Sequence, residues 1–183
     1  KQLKSFSTLD DVSNLPRDQL GLISHILGHL SKKFGDQLIT NFFSYMLANN
    51  KTISNRQLED LIAINIYDKN ANKFKNNDNS GQDARRQANA LVTRIRIDLA
   101  DFISQRHYPE MFLFIDVKQF WMVAEKLYLS SDKGEFMQEI YRNVVKWHTG
   151  ELYLEYTAKL GVSAGNRIPN LMHQVPKNEK SYD

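Results

Sequence analysis

The sequence predicts a mainly all-α fold: one bundle-like domain of about six helices with an extended C-terminal tail, and one or two very short strands at most. Three observations lead there. Apolar residues recur at helical spacing in several separate runs, most plainly from Gln82 to Gln105. Turn signals divide those runs at intervals that suit helices joined by short connections and packed antiparallel. Hydrophobic residues make up 42% of the 183, which is enough to bury a core in one domain.

The run Gln82–Gln105 is the expected central helix. Ala84, Ala88, Leu91, Val92, Ile95, Leu99, Phe102 and Ile103 follow at steps of three, four and one, along one face of a 3.6-residue helix. Ile97 lies opposite that stripe.

From the start of the chain, residues 1–14 are polar and read as a flexible segment ahead of a helical domain spanning 15–161. The first helix opens near Pro16, with Asp18 in its first turn. Leu20, Ile23, Leu27, Leu30 and Phe34 form its apolar stripe. Gly21, Ser24, Gly28 and Ser31 make a row of small residues along one edge of it. Glycine costs about 1 kcal/mol in a helix, so the row points to close approach by another helix or a bound segment.

A second helix, Asp36–Ala48, is apolar nearly all round and is expected between neighbours. Asn49-Asn50-Lys51 ends it. Ser54 and Gln57 have the spacing of a capping box for the next helix. Residues 62–67 alternate, which makes a short strand the competing assignment there. Residues 68–81, rich in Asn and Lys, read as a long loop. After the central helix, 112–117 reads as a strand or an apolar linker. A helix with Phe120, Trp121, Ala124 and Tyr128 follows, and a last one runs from about Glu135 to Leu160. The tail, 162–183, contains two prolines and reads as extended, yet it carries Ile168, Leu171 and Met172.

Composition narrows the chemistry. The absence of cysteine excludes disulfides, thiolate metal sites and cysteine nucleophiles. No apolar run reaches the roughly 18 residues a membrane span needs, so no membrane insertion is expected, and the cytoplasm is the default compartment. A net charge of +3 is mildly basic. No phosphate loop, nucleophile elbow, HExxH or EF-hand loop occurs, and neither a cofactor nor a metal is expected. His25 and His29 have metal-ligand spacing but no third ligand nearby.

Two motifs remain. Lys73 and Lys75 in the Asn/Lys segment, with Arg85, Arg86 and Arg94 on the central helix, would form a basic patch able to meet phosphate backbones. The stretch Arg142-Asn143-Val144-Val145-Lys146-Trp147-His148 resembles the signature of HEPN ribonucleases, an arginine and a polar residue with a histidine a few positions on. The resemblance spans those residues alone and implies a dimeric helical RNase using Arg142 and His148. Arg167 to His173 has the same spacing, and on an ideal helix Arg142 and His148 lie about 120° apart.

The leading expectation is therefore a non-catalytic helical interaction module, a subunit or adaptor of a larger assembly. It would bind a protein partner through Gly21, Ser24, Gly28 and Ser31 and through Ile168, Leu171 and Met172. The alternatives are a nucleic-acid-binding protein using the basic patch and a dimeric RNase, so homo-oligomers are within the reading.

Overall fold

Gly35 joins the first two helices. Its φ of 92° lies in the left-handed region that favours glycine, and its N–H donates to Ser31 O at 2.8 Å. It thereby ends helix α1 (Gln19–Phe34) and starts α2 (Asp36–Ala48) within one residue. The computed structural model describes residues 16–74, 80–107, 111–128, 134–152 and 154. Within them the protein is mainly helical, as expected, with a small sheet. Strand β1 (Thr52–Ser54) leads into α3 (Asn55–Phe74), then α4 (Ser80–Asp98), β2 (Ile103–His107), β3 (Met111–Ile115), α5 (Lys118–Tyr128) and α6 (Gly134–Thr149).

The caps follow from local chemistry. Asp18 stays outside α1 as its N-cap, in extended backbone, and accepts from Gly21 N at 2.8 Å. The helix thus begins at Gln19 rather than Pro16. Between α2 and β1, Asn50 and Lys51 adopt φ of 54° and 66°. That left-handed pair is held by Lys51 N donating to Met46 O at 2.7 Å and by Asn49 Nδ2 donating to Tyr45 O at 2.9 Å. Ser54 Oγ accepts from Gln57 N at 3.1 Å, so it caps α3 as its position suggests. The Gln57 side chain does not complete the box. It donates instead to Asn49 Oδ1 at 3.0 Å.

Helix α2 is the centre of the core. Every residue from Ile39 to Met46 is buried, which its all-round apolar character predicts. Phe43 meets Phe42 beside it and Phe120 and Trp121 of α5, while Ile23, Leu27 and Leu30 of α1 close one side. Ala88, Val92, Ile95 and Leu99 of α4 close another.

The sheet is antiparallel in the order β1–β3–β2. Ile53 pairs with Leu113 and Ile103 with Ile115, and all four are buried.

These contacts decide two assignments that the sequence leaves open and correct three others. Residues 62–67 are helical, inside α3, because Leu58, Leu61, Ile62 and Ala63 all turn inward from a capped helix. The strand expected at 112–117 exists, one or two residues earlier, at Met111–Ile115. The central helix stops at Asp98; Ile103 belongs to β2, where pairing with Ile115 outweighs its helical spacing. Residues 68–81 are not one long loop, since α3 continues to Phe74 and α4 begins at Ser80. The last helix does not run unbroken to Leu160. Gly150, with φ of 79°, interrupts it after Thr149.

Candidate nucleic-acid interface

Helix α4 sorts its side chains into two faces. Ala84, Ala88, Val92, Ile95 and Leu99 are buried. On the opposite side Arg86, Ala90, Thr93 and Ile97 form a ridge at steps of four, three and four, and all are exposed. Exposed Gln87 and Arg94 flank the ridge on one side; Gln82 and Asn89 flank it on the other. The helix carries four arginines against two aspartates and contains no lysine or glutamate.

Neighbouring elements decide which arginines face outward. Arg85 turns to α3 and pairs with Asp60 Oδ1. Trp147 Nε1 of α6 donates to the other oxygen of the same carboxylate at 3.3 Å, so Asp60 ties three helices together. Asn89 Nδ2 donates to Glu59 at 2.9 Å. Arg96 donates to Asn55 Oδ1 at 2.9 Å and to Met111 Sδ at 3.4 Å, while its Nε is buried without a partner. Arg86 lies 3.6 Å from Asp83, an exposed i,i+3 pair of small energetic weight. Asp98, which the sequence places beside Arg94, instead pairs with Lys33 of α1 at 2.6 Å. Arg94 is left solvent-facing.

The expected basic patch is therefore redistributed. Arg86 and Arg94 stay on the outer face of α4, Arg85 becomes an interhelical tie, Lys73 falls within α3, and Lys75 lies outside the described residues. Sequence reasoning missed the uncharged members, Gln87, Ala90 and Thr93, because it searched for charge. The helical period of their positions would have found them. Arg106 on β2 is exposed as well, but on the sheet face opposite Met111, with its guanidinium 4.9 Å from the centre of the Phe114 ring.

The row of small residues divides. A Cβ on Gly21 would come within 2.7 Å of Pro16 Cβ and 2.8 Å of Asp18 Oδ2, so this glycine serves the N-cap. Ser31 Oγ lies 3.1 Å from the hydroxyl of Tyr128, which also donates to Leu27 O at 3.2 Å. That end of the row is part of the α1–α5 contact. Ser24 is half-buried, and nothing lies within 4 Å of a Cβ placed on Gly28. Gly28→Ala is accordingly expected to raise stability by about 0.5–1 kcal/mol, the ordinary gain of alanine over glycine in a helix. A shift of the urea midpoint to higher concentration at constant slope would show it; a lower midpoint would mean that the helix needs the glycine. Ile168, Leu171 and Met172 lie outside the described residues.

The other motifs are placed as follows. Arg142 and His148 are both exposed on α6; the His148 ring meets Trp147 edge-on at 5.1 Å, and its Nε2 lies 3.3 Å from Gln57 Nε2. His25 and His29 are exposed on α1, and among the described residues no three histidines or carboxylates converge as a metal site. No helix among them is long and apolar enough to cross a membrane.

One buried polar group stands out. The Tyr45 hydroxyl, at the α2–α3–α6 junction, donates to Asn65 Oδ1 at 3.2 Å and accepts from Asn65 Nδ2 at 3.0 Å and Asn143 Nδ2 at 3.4 Å. Burial pushes its pKa up, helped by the charges of Glu139 and Asp68 and opposed by the two asparagines.

Comparison with family models, with curated proteins and with solved structures returned no match.

Proposed function

We propose that the protein binds nucleic acid through the outer face of α4, a reading the sequence holds as an alternative. The observation that carries it is the exposed run Arg86, Gln87, Ala90, Thr93 and Arg94 on a helix firmly anchored by its opposite face. Two acidic side chains border that outer face, Asp83 at the helix start and Asp98 at its end, and Asp98 is paired with Lys33. Arginine supplies phosphate contacts, and glutamine and threonine supply hydrogen bonds that suit base edges or sugars.

The test is binding of the full chain to mixed-sequence nucleic acid at low salt, followed through a salt titration. The logarithm of the association constant should fall linearly with that of salt concentration, by roughly 0.9 per phosphate contacted on duplex DNA. Reversing Arg86 and Arg94 together to glutamate is expected to weaken binding by about tenfold or more and to flatten the slope. Absence of binding at low salt overturns the reading.

A second reading, the non-catalytic interaction module, is favoured by a different face. Tyr141 and Val145 of α6, one turn apart, are 51% and 58% exposed although their helix packs through Ile140 and Val144. Apolar side chains so exposed at i,i+4 suit a protein partner. With Gly28 open, Gly28→Leu should leave the isolated protein stable while blocking any partner seated on the α1 row.

A further inference from the structure

We infer that α4 reads the major groove of double-stranded DNA in a sequence-dependent way. This rests on the nucleic-acid reading of the same helix and names the kind of nucleic acid.

Shape comes first. An α-helix with its side chains is about 10–12 Å across, which fits the roughly 12 Å major groove of B-form DNA and not its minor groove of about 6 Å. In an A-form RNA helix the major groove is too narrow and deep for side chains to read. An anchored helix with the outward ridge Arg86, Ala90, Thr93 and Ile97, flanked by Gln87 and Arg94, therefore matches the groove of duplex DNA in width.

Chemistry points the same way. Arginine forks onto the two acceptors of guanine, glutamine pairs with the donor and acceptor of adenine, and the methyl groups of alanine and threonine meet that of thymine. Arg86, Arg94, Gln87, Ala90 and Thr93 supply all three contacts, and all are exposed. Single-strand binding depends instead on aromatic platforms. None of the exposed positions of α4 is aromatic, and the nearby Phe114 ring is covered by Arg106.

Helix α4 is held in place by Arg96. Its contacts to Asn55 and Met111 bind α4 both to the start of α3 and to the start of β3, where Met111 pairs with His107. A helix pair whose second member enters the groove is an established docking geometry for duplex DNA.

The experiment is selection of sites by the full chain from a random-sequence duplex library. It is followed by anisotropy measurements on the selected duplex, an unrelated duplex, the corresponding single strand and an RNA duplex. A common motif should be enriched, and the selected duplex should bind tightest. Gln87→Ala and Arg94→Ala should each lower affinity for it by about 10- to 100-fold. Gln87→Ala should leave the unrelated duplex unaffected. Circular dichroism and thermal melting check that these surface variants stay folded. Enrichment of no motif, equal or tighter binding of the single strand or RNA, or a motif insensitive to both α4 substitutions overturns the inference and leaves nucleic-acid binding standing. Binding to none of the four at low salt overturns both.

Discussion

Phe43→Ala is expected to lower the free energy of unfolding by about 3–5 kcal/mol, the usual cost of deleting a buried aromatic ring. Phe43 has no exposed surface. Its ring meets Phe42 edge-on at 5.2 Å, stacks on Tyr128 at 5.6 Å with 12° between planes, and touches Phe120 and Trp121 at 5.5 and 6.4 Å. The Tyr128 hydroxyl is in turn bonded to Leu27 and Ser31 of α1. Removing Phe43 thus opens a cavity at the point where α1, α2 and α5 meet, and rigid neighbours can refill little of it. A domain of this size has about 5–15 kcal/mol in total, so the variant should be marginal. Urea unfolding measures the effect directly. Leu20→Ala, at a side chain 43% exposed on α1, is the control and should change stability by no more than about 0.5 kcal/mol. Equal losses in the two variants would mean that the core is not centred on α2.

Stability is expected to fall as pH rises above 10, with Tyr45 as a main cause. Burial holds the Tyr45 phenol above its ordinary value of 10.0 in the folded state. Tyr128 is raised too, by burial first and by Asp36 second, against the hydrogen bond with Ser31. The unfolded chain therefore releases these protons first. Their contribution is complete below pH 10 and is lost as pH climbs toward the folded-state values. Urea midpoints at a series of alkaline pH values, with tyrosinate absorbance followed alongside, test this. Tyr45→Phe separates two effects. At neutral pH it should destabilise by about 1–3 kcal/mol, because Asn65 and Asn143 lose a buried partner. At alkaline pH its stability should fall less steeply than that of the parent. An equal slope in both proteins would remove Tyr45 from the account.

The two predictions concern residues that differ in how far the sequence reveals them. Phe42 and Phe43 sit in a helix apolar on every side, and such a helix has to be buried whatever surrounds it. Tyr45 belongs to the same run, but its hydroxyl bonds Asn65 and Asn143, which are 20 and 98 positions away. No local pattern links those three.

The same division runs through the molecule. Period and capping chemistry by themselves determined the helical class, the buried stripe of α4, the Ser54 cap and the turn at Asn49–Lys51, because each depends on residues within a few positions of one another. Only tertiary structure decided where α4 ends. Ile103 has a helical spacing, and it is the pairing of its strand with β3 that takes it into the sheet. Strands β1 and β2 were illegible for a related reason. Thr52–Ser54 is too short to show alternation, and Ile103–His107 is polar along most of its length, so both are fixed only by pairing with β3. The candidate interface shows the same limit in a single dipeptide. Arg85 and Arg86 lie 100° apart on a helix, which puts Arg85 at the edge of the apolar stripe and Arg86 farther out, but names no partner for either. Asp60, 25 residues before Arg85, draws it inward as a tie, and Arg86 stays on the outer face because its direction meets no other element.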